Sequence, residues 1–166
     1  MARPPAIGER GTRDIGLQSC IRVGSVHMEL PSNLLLGAGN VVAHGVDLVD
    51  IEDLRRLVET SLSSQLHRTF TQGELHASGE GRLRLERLAG RLATKEAVMK
   101  ALGLGFGDGV GFLDIETVNL DSGAPTIVLH NRVAEIATQV GVDRWLVSTS
   151  HTDKVAFASV IGLTAA

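Results

Sequence analysis

One cysteine, one tryptophan, four phenylalanines and no tyrosine stand in a chain of 166 residues. Cys20 has no second cysteine for an internal disulfide, and a zinc site built from several thiolates is excluded. A reduced, cytoplasmic protein is therefore expected rather than a small secreted scaffold. So few aromatic rings offer little for single-stranded bases to stack on. There is no run of 18 or more apolar residues, and the first thirty residues carry Arg, Asp and Glu without a signal-peptide core, so neither a membrane span nor export is expected. Charge of one sign is also missing. Sixteen Lys and Arg against nineteen Asp and Glu give a formal charge of -3, with no long basic block of the kind a general nucleic-acid binder carries. What is present is 43% hydrophobic residues, enough for the packed core of one domain.

Residues 1–40 read as a leader or extension, with Pro4, Pro5 and scattered glycines and at most a short extended piece at Cys20–Met28. The organised domain is expected over 41–166. There a β-branched run at Val41–Val49 leads into the period of Ile51, Leu54, Leu57 and Val58, a strand feeding a helix that Asp50 can cap, with Asp53 favourable in the first turn. A polar passage follows, and FTQGE at Phe70–Glu74 begins a short helical piece. The strongest helical segment is Arg82–Leu102, ended by glycines at 103, 105, 107 and 109. Strands are expected at Asp114–Leu120 and Thr126–His130, then a helix at Val133–Val140 capped by Asn131. Arg144–Ser150 and Val155–Ile161 complete the pattern as a hairpin. The order is α+β, a mixed or antiparallel sheet packed against a long helix, rather than a regular βαβ alternation.

Two carboxylates break the hydrophobic pattern. At about 100° per residue, Leu85, Leu88, Leu92 and Met99 share one stripe of the long helix, and Glu96 falls inside it. A carboxylate aimed at a core needs a partner, a hydrogen bond or a metal. Lys100, one turn on, offers an i,i+4 pair, whereas Lys95 flanks the opposite edge of the stripe. A structural ion pair and a functional acid are both open at this point. Asp47 interrupts the strand VVAHGVDLV, on the face shared by Val41, Ala43, Gly45 and Val49. It reads either as a strand-end acid reaching solvent or as a group beside which Gly45 allows close approach. Two carboxylates from different elements suit a hard divalent cation whose other ligands are water and phosphate oxygen.

Five blocks, HGVDLVDIEDLRRL, FTQGE, AGRLATKEAVMKALGLG, DIETVNLDSGAPTIVL and VSTSHTDKVAFASVI, resemble in order and spacing the holo-[acyl-carrier-protein] synthase branch of the 4′-phosphopantetheinyl transferases. The resemblance runs from Val41 onward. It implies a phosphopantetheinyl transferase-like fold and a magnesium-dependent transfer of 4′-phosphopantetheine from coenzyme A to a serine of an apo acyl carrier protein, with adenosine 3′,5′-bisphosphate released. It implies Asp47, the acid of GxD, and Glu96, the acid of KEA, as magnesium ligands. Glu96 is then the leading candidate for the base that takes the serine proton, ahead of Asp47. Lys100 is expected to offset charge on the leaving group, and Lys95 to contact a donor phosphate. His151, with Ser148 and Ser150 in the SxSH block, is expected to bind donor phosphate. Arg91 is left between a coenzyme A contact, a subunit pair and an edge arginine, and Gly105 is expected near the donor. Arg56, with Arg55, suits an acidic carrier helix. A homotrimer with sites between adjacent subunits is implied as well.

The glycine cluster GLGFGDGVG lacks the GxxxxGK of a P-loop and the spacing of a dinucleotide fingerprint, so it reads as a left-handed connection after the helix. No G-x-S-x-G elbow accompanies Ser148, Ser150 and His151, which weakens a Ser-His hydrolase. His44 and Thr94 replace small residues in two of the blocks, and Thr94 is expected on the helix face away from the apolar stripe. The alternatives to an enzyme are a noncatalytic module binding coenzyme A or carrier protein, and a structural oligomer in which Glu96–Lys100 is only a stabilising pair.

Overall fold

The β-branched run forms β1, Val41–Asp50, and Asp50 turns the chain into α1, Ile51–Thr60, its Oδ1 accepting the Glu52 N–H at 2.8 Å and the Asp53 N–H at 3.3 Å. In this computed structural model residues 40–60, 64–105 and 109–165 are described. Asn40 apart, the expected leader and its extended piece lie outside the described residues. Two short helices, α2 (Ser64–Thr69) and α3 (Gln72–Ala77), precede the long helix α4, Arg84–Ala101. A 3-10 turn at Phe112–Asp114 opens the hairpin β2 (Ile115–Asn119) and β3 (Pro125–Leu129); α5 (Asn131–Val140) and the hairpin β4 (Arg144–His151) and β5 (Val155–Leu163) complete the domain. Among the described residues no helix is long and apolar enough to cross a membrane.

Both sheets are antiparallel, one of order β1-β5-β4 and one of β2-β3. The α+β architecture with a sheet against a long helix is therefore observed. The inner face of the larger sheet carries Gly45, Val49, Ala156, Ala158 and Val160 against Ala89, Ala93, Ala97 and Val98 of α4, while Ala43 packs with Ala137 and Val142 in a smaller cluster. Small residues on both sides bring helix and sheet backbones close. The outer face leaves Val46, Leu48, Leu146 and Phe157 exposed. Gly103, at φ 67, closes α4 in the left-handed conformation expected of the glycine cluster, with the Leu104 N–H returning to the Met99 carbonyl.

The polar passage hides α2, which is held by Leu66 packing on the core and by Phe70 just beyond its end. Asn131 does not cap α5. It lies at φ 47 and its Nδ2 donates to Asp114 Oδ1 at 2.7 Å, tying the helix start to the 3-10 turn. Thr94 is fully buried rather than turned outward, because α4 is covered by α3 and β2 as well as by the sheet; its hydroxyl donates to the Gly90 carbonyl.

Lys95 also departs from expectation. Its side chain is 0% exposed and pairs with Glu74 at 2.8 Å. The same ammonium donates to the carbonyls of Phe112 and Ile115, so all three of its N–H groups are used. Glu74 in turn accepts the N–H groups of Thr71 and Thr117, the first of these completing a capping box at the start of α3. Burial pushes the Lys95 ammonium below its ordinary range, partly offset by Glu74. The pair locks α3, α4 and β2 together. Breaking one side of a buried pair leaves a stranded charge, so Lys95→Met is expected to cost about 3–5 kcal/mol in urea unfolding.

Candidate functional site

Asp47 reaches the helix because β1 approaches α4 at a glycine. A Cβ on Gly45 would lie 2.0 Å from the Ala97 carbonyl oxygen, an overlap no side chain survives. Two residues further along the same face, Asp47 meets the helix positions flanking Ala97. Its Oδ1 accepts the Lys100 ammonium at 2.9 Å and the Leu48 N–H at 2.8 Å. Lys100 therefore crosses to the strand instead of forming the expected i,i+4 pair with Glu96. The Glu96 carboxyl lies within hydrogen-bonding reach of Asp47 itself. Asp47 Oδ2 is buried and no N–H or O–H group donates to it, so a proton shared with Glu96, a cation or a water would be needed to satisfy it.

The two acids are driven apart by their surroundings. Burial, then the hydrogen bond and charge of Asp47, push Glu96 up to about 7, with Lys100 only partly opposing. For Asp47 burial also works upward, but the hydrogen bonds from Glu96, Lys100 and the Leu48 N–H outweigh it and hold the group below its ordinary value. In turn Asp47 raises the Lys100 ammonium, chiefly through their hydrogen bond. The acids titrate as one unit, which retains a proton close to neutrality. They line a cleft of about 300 Å³ with Met99, Lys100, Leu104 and Gly105. Among the described residues no group of three or more His, Cys, Asp and Glu is placed to hold a metal ion.

A second cleft, of about 200 Å³, opens between α4, the β2-β3 hairpin and the end of β4, and Arg91, Ser150 and His151 all line it. Arg91 is only 7% exposed; one of its amino groups donates to the Arg87 carbonyl, while its Nε has no partner. Burial lowers its guanidinium, against the field of Glu74. Among the described residues four buried side-chain polar atoms lack any hydrogen bond: Asp47 Oδ2, Glu86 Oε2, Arg91 Nε and Thr117 Oγ1. All four belong to residues lining these two clefts. Each such orphan calls for a partner, and a water, an ion or a ligand entering the cleft would supply it.

The remaining expected residues fall elsewhere. Lys95 reaches neither cleft, because the core holds its ammonium. Ser148 lines neither, because it sits opposite Ser159 on the outer face of the sheet while Thr149 stands opposite the buried Ala158. His44 is an exposed residue of that outer face, 3.5 Å from the Ser159 hydroxyl. Arg55 and Arg56 are exposed on α1 and bridge back to Glu52 and Asp53. Glu74, Glu86 and Thr117 carry no isolated signal in the sequence. The Thr71-x-x-Glu74 capping spacing is a trace of the first, but the burial of the other two depends on the β2-β3 hairpin.

A family model described as the 4′-phosphopantetheinyl transferase superfamily matches residues 43–157. Over 126 residues the chain is 44% identical to a holo-[acyl-carrier-protein] synthase of Gloeobacter violaceus, covering 74% of this chain and 95% of that one. With the synthase of the same description from Solibacter usitatus it shares 37% over 121 residues, 73% of this chain and 97% of the relative. Its fold matches the crystal structure of a holo-(acyl-carrier-protein) synthase from Bacillus anthracis in complex with CoA (3′,5′-ADP), with a TM-score of 0.62 and 28% identity over 75% of this chain and 98% of that one.

The raised Glu96 carboxyl makes stability depend on pH. Between its ordinary value of 4.5 and about 7 the folded chain holds a proton that the unfolded chain has released, so with divalent cations chelated the protein should lose stability as pH rises through that window. Glu96→Gln should flatten this slope in urea midpoints measured across it. Gly45→Ala should destabilise by about 3 kcal/mol or more, read the same way, since the clash is with backbone.

Proposed function

Because the chain belongs to the 4′-phosphopantetheinyl transferase superfamily, in its holo-[acyl-carrier-protein] synthase branch, we infer that it moves 4′-phosphopantetheine from coenzyme A to a serine hydroxyl of an apo acyl carrier protein. Adenosine 3′,5′-bisphosphate is released. The observation that carries this reading in the chain itself is the Asp47–Glu96 pair with its orphaned oxygen and adjacent ammonium.

Asp47 and Glu96 fit a magnesium ion, since two carboxylates, one with a buried oxygen lacking a donor, are the hard oxygen ligands that such a cation would take. A magnesium ion held by these two acids would supply charge neutralisation at the donor pyrophosphate. Glu96, directly or through a magnesium-associated water, accepts the proton that the carrier serine loses. The serine oxygen forms its bond to the phosphorus nearest pantetheine as the bridging P–O bond breaks, and the electron pair leaves on the phosphate of adenosine bisphosphate. Lys100, 60% exposed at the mouth of the cleft, offsets that charge.

Arg91, Ser150 and His151 bind the phosphates of the adenosine end, which the unpaired Arg91 Nε supports. Gly105 lets the donor run close to backbone beside the carboxylates. The functional unit is a homotrimer in which the carboxylate cleft of one subunit works with the basic cleft of a neighbour. The exposed apolar outer face of the sheet, with Leu48 62% and Phe157 36% exposed, supplies surface for that association. Arg55 and Arg56 on exposed α1 guide an acidic carrier helix to the cleft.

Incubation with magnesium, coenzyme A and an apo acyl carrier protein should raise the carrier mass by one phosphopantetheine. Glu96→Gln should lower kcat by about 100-fold or more, and normal turnover in that variant would overturn the assignment. His151→Ala should act mainly on KM for coenzyme A; an unchanged KM would remove His151 from the donor site.

A further inference from the structure

Among the described residues Glu86 is the one acid lining the basic cleft. It stands on α4 one turn before Gly90, and its Oε2 is buried with no donor. The arginines beside it do not answer it: Arg87 donates to the Ser78 carbonyl and Arg91 to the Arg87 carbonyl. An ionised carboxylate only accepts, and it repels phosphate, so within a nucleotide the group able to complete Glu86 is an N–H or O–H donor of the base or the ribose. The walls nearby carry little side chain. A Cβ on Gly90 or Gly123 would meet nothing within 4 Å, and Pro125 closes the cleft from the hairpin. A slot walled by two glycines and a proline suits a flat ring, and adenine carries one exocyclic amine as its strong donor on the edge where a 6-oxo purine carries an acceptor.

We propose that Glu86 is a specificity-determining residue that reads the donor nucleotide, the buried Oε2 of its half-buried side chain accepting the 6-amino group of adenine. This rests on the reading of the chain as a coenzyme A-dependent transferase. A 6-oxo purine sets lone pair against lone pair at the same point. A hydrogen bond to a charged group of this kind corresponds to discrimination of about 10–100-fold.

The test is direct binding of adenosine 3′,5′-bisphosphate, inosine 3′,5′-bisphosphate and 2′-deoxyadenosine 3′,5′-bisphosphate to the full chain by calorimetry, beside transfer rates from coenzyme A and its inosine analogue. The unaltered protein should prefer adenosine over inosine by about 10–100-fold. In Glu86→Gln, whose amide both donates and accepts, that ratio should fall to within about threefold while coenzyme A remains a donor. An unchanged ratio in the variant, or equal binding of the two bases by the unaltered protein, overturns the proposal. So does a loss confined to the 2′-deoxy ligand, which would assign Glu86 to the ribose. Should the variant fail to fold, the base preference of the unaltered protein decides. Base discrimination without carrier modification would keep this role for Glu86 while removing the transferase reading.

Discussion

At Gly45 the backbone of β1 lies against the Ala97 carbonyl of α4, and this contact sets the distance between two acids 49 positions apart in the chain. Every feature of the carboxylate cleft follows from it. Asp47 comes within reach of Lys100, the Glu96 carboxyl is left facing another acid, and while burial raises both, the hydrogen bonds that Asp47 accepts bring it down and leave Glu96 raised. Two like charges at such range are unfavourable unless a proton or a cation lies between them. The fold therefore holds a strained electrostatic arrangement in a place where small residues on both surfaces leave no room to relax.

What holds that arrangement is remote from it in sequence. Lys95, next to Glu96, turns to the opposite side of α4 and is fixed by Glu74 and two carbonyls. Because successive helical side chains diverge by about 100°, anchoring one in the core fixes the direction of the next. Glu74 also closes the capping box of α3 and receives a strand N–H from β2, so a single buried ion pair sets the rotation of the long helix and joins the smaller sheet to it. The KEA motif thus combines two charges with separate tasks, one internal and one facing the cleft.

Much of this was legible in the sequence. Strand alternation put Asp47 with Ala43, Gly45 and Val49, and helical period put Glu96 among leucines; both misfits mark the cleft. Asp50 as a cap, the β4-β5 hairpin and the glycine stop after α4 rest on local chemistry and agree with the structure. Tertiary partners were not legible. Lys95 looked like an edge cation because Glu74, 21 residues earlier, belongs to another helix, and Lys100 looked like the partner of Glu96 because the competing Asp47 lies across a strand. Glu86 and Thr117 show nothing unusual until the hairpin folds over them. Strand period alone already separates Ser148 from His151, which alternate between faces.

Metal occupancy tests the account most directly. Manganese, a paramagnetic stand-in for magnesium at oxygen sites, can be titrated into the protein in the presence of coenzyme A and followed by electron paramagnetic resonance. One bound ion per chain is expected, lost in Asp47→Asn while the variant stays folded. Retention of the same ion in that variant with unchanged affinity would show that the meeting of these two carboxylates is not what holds it.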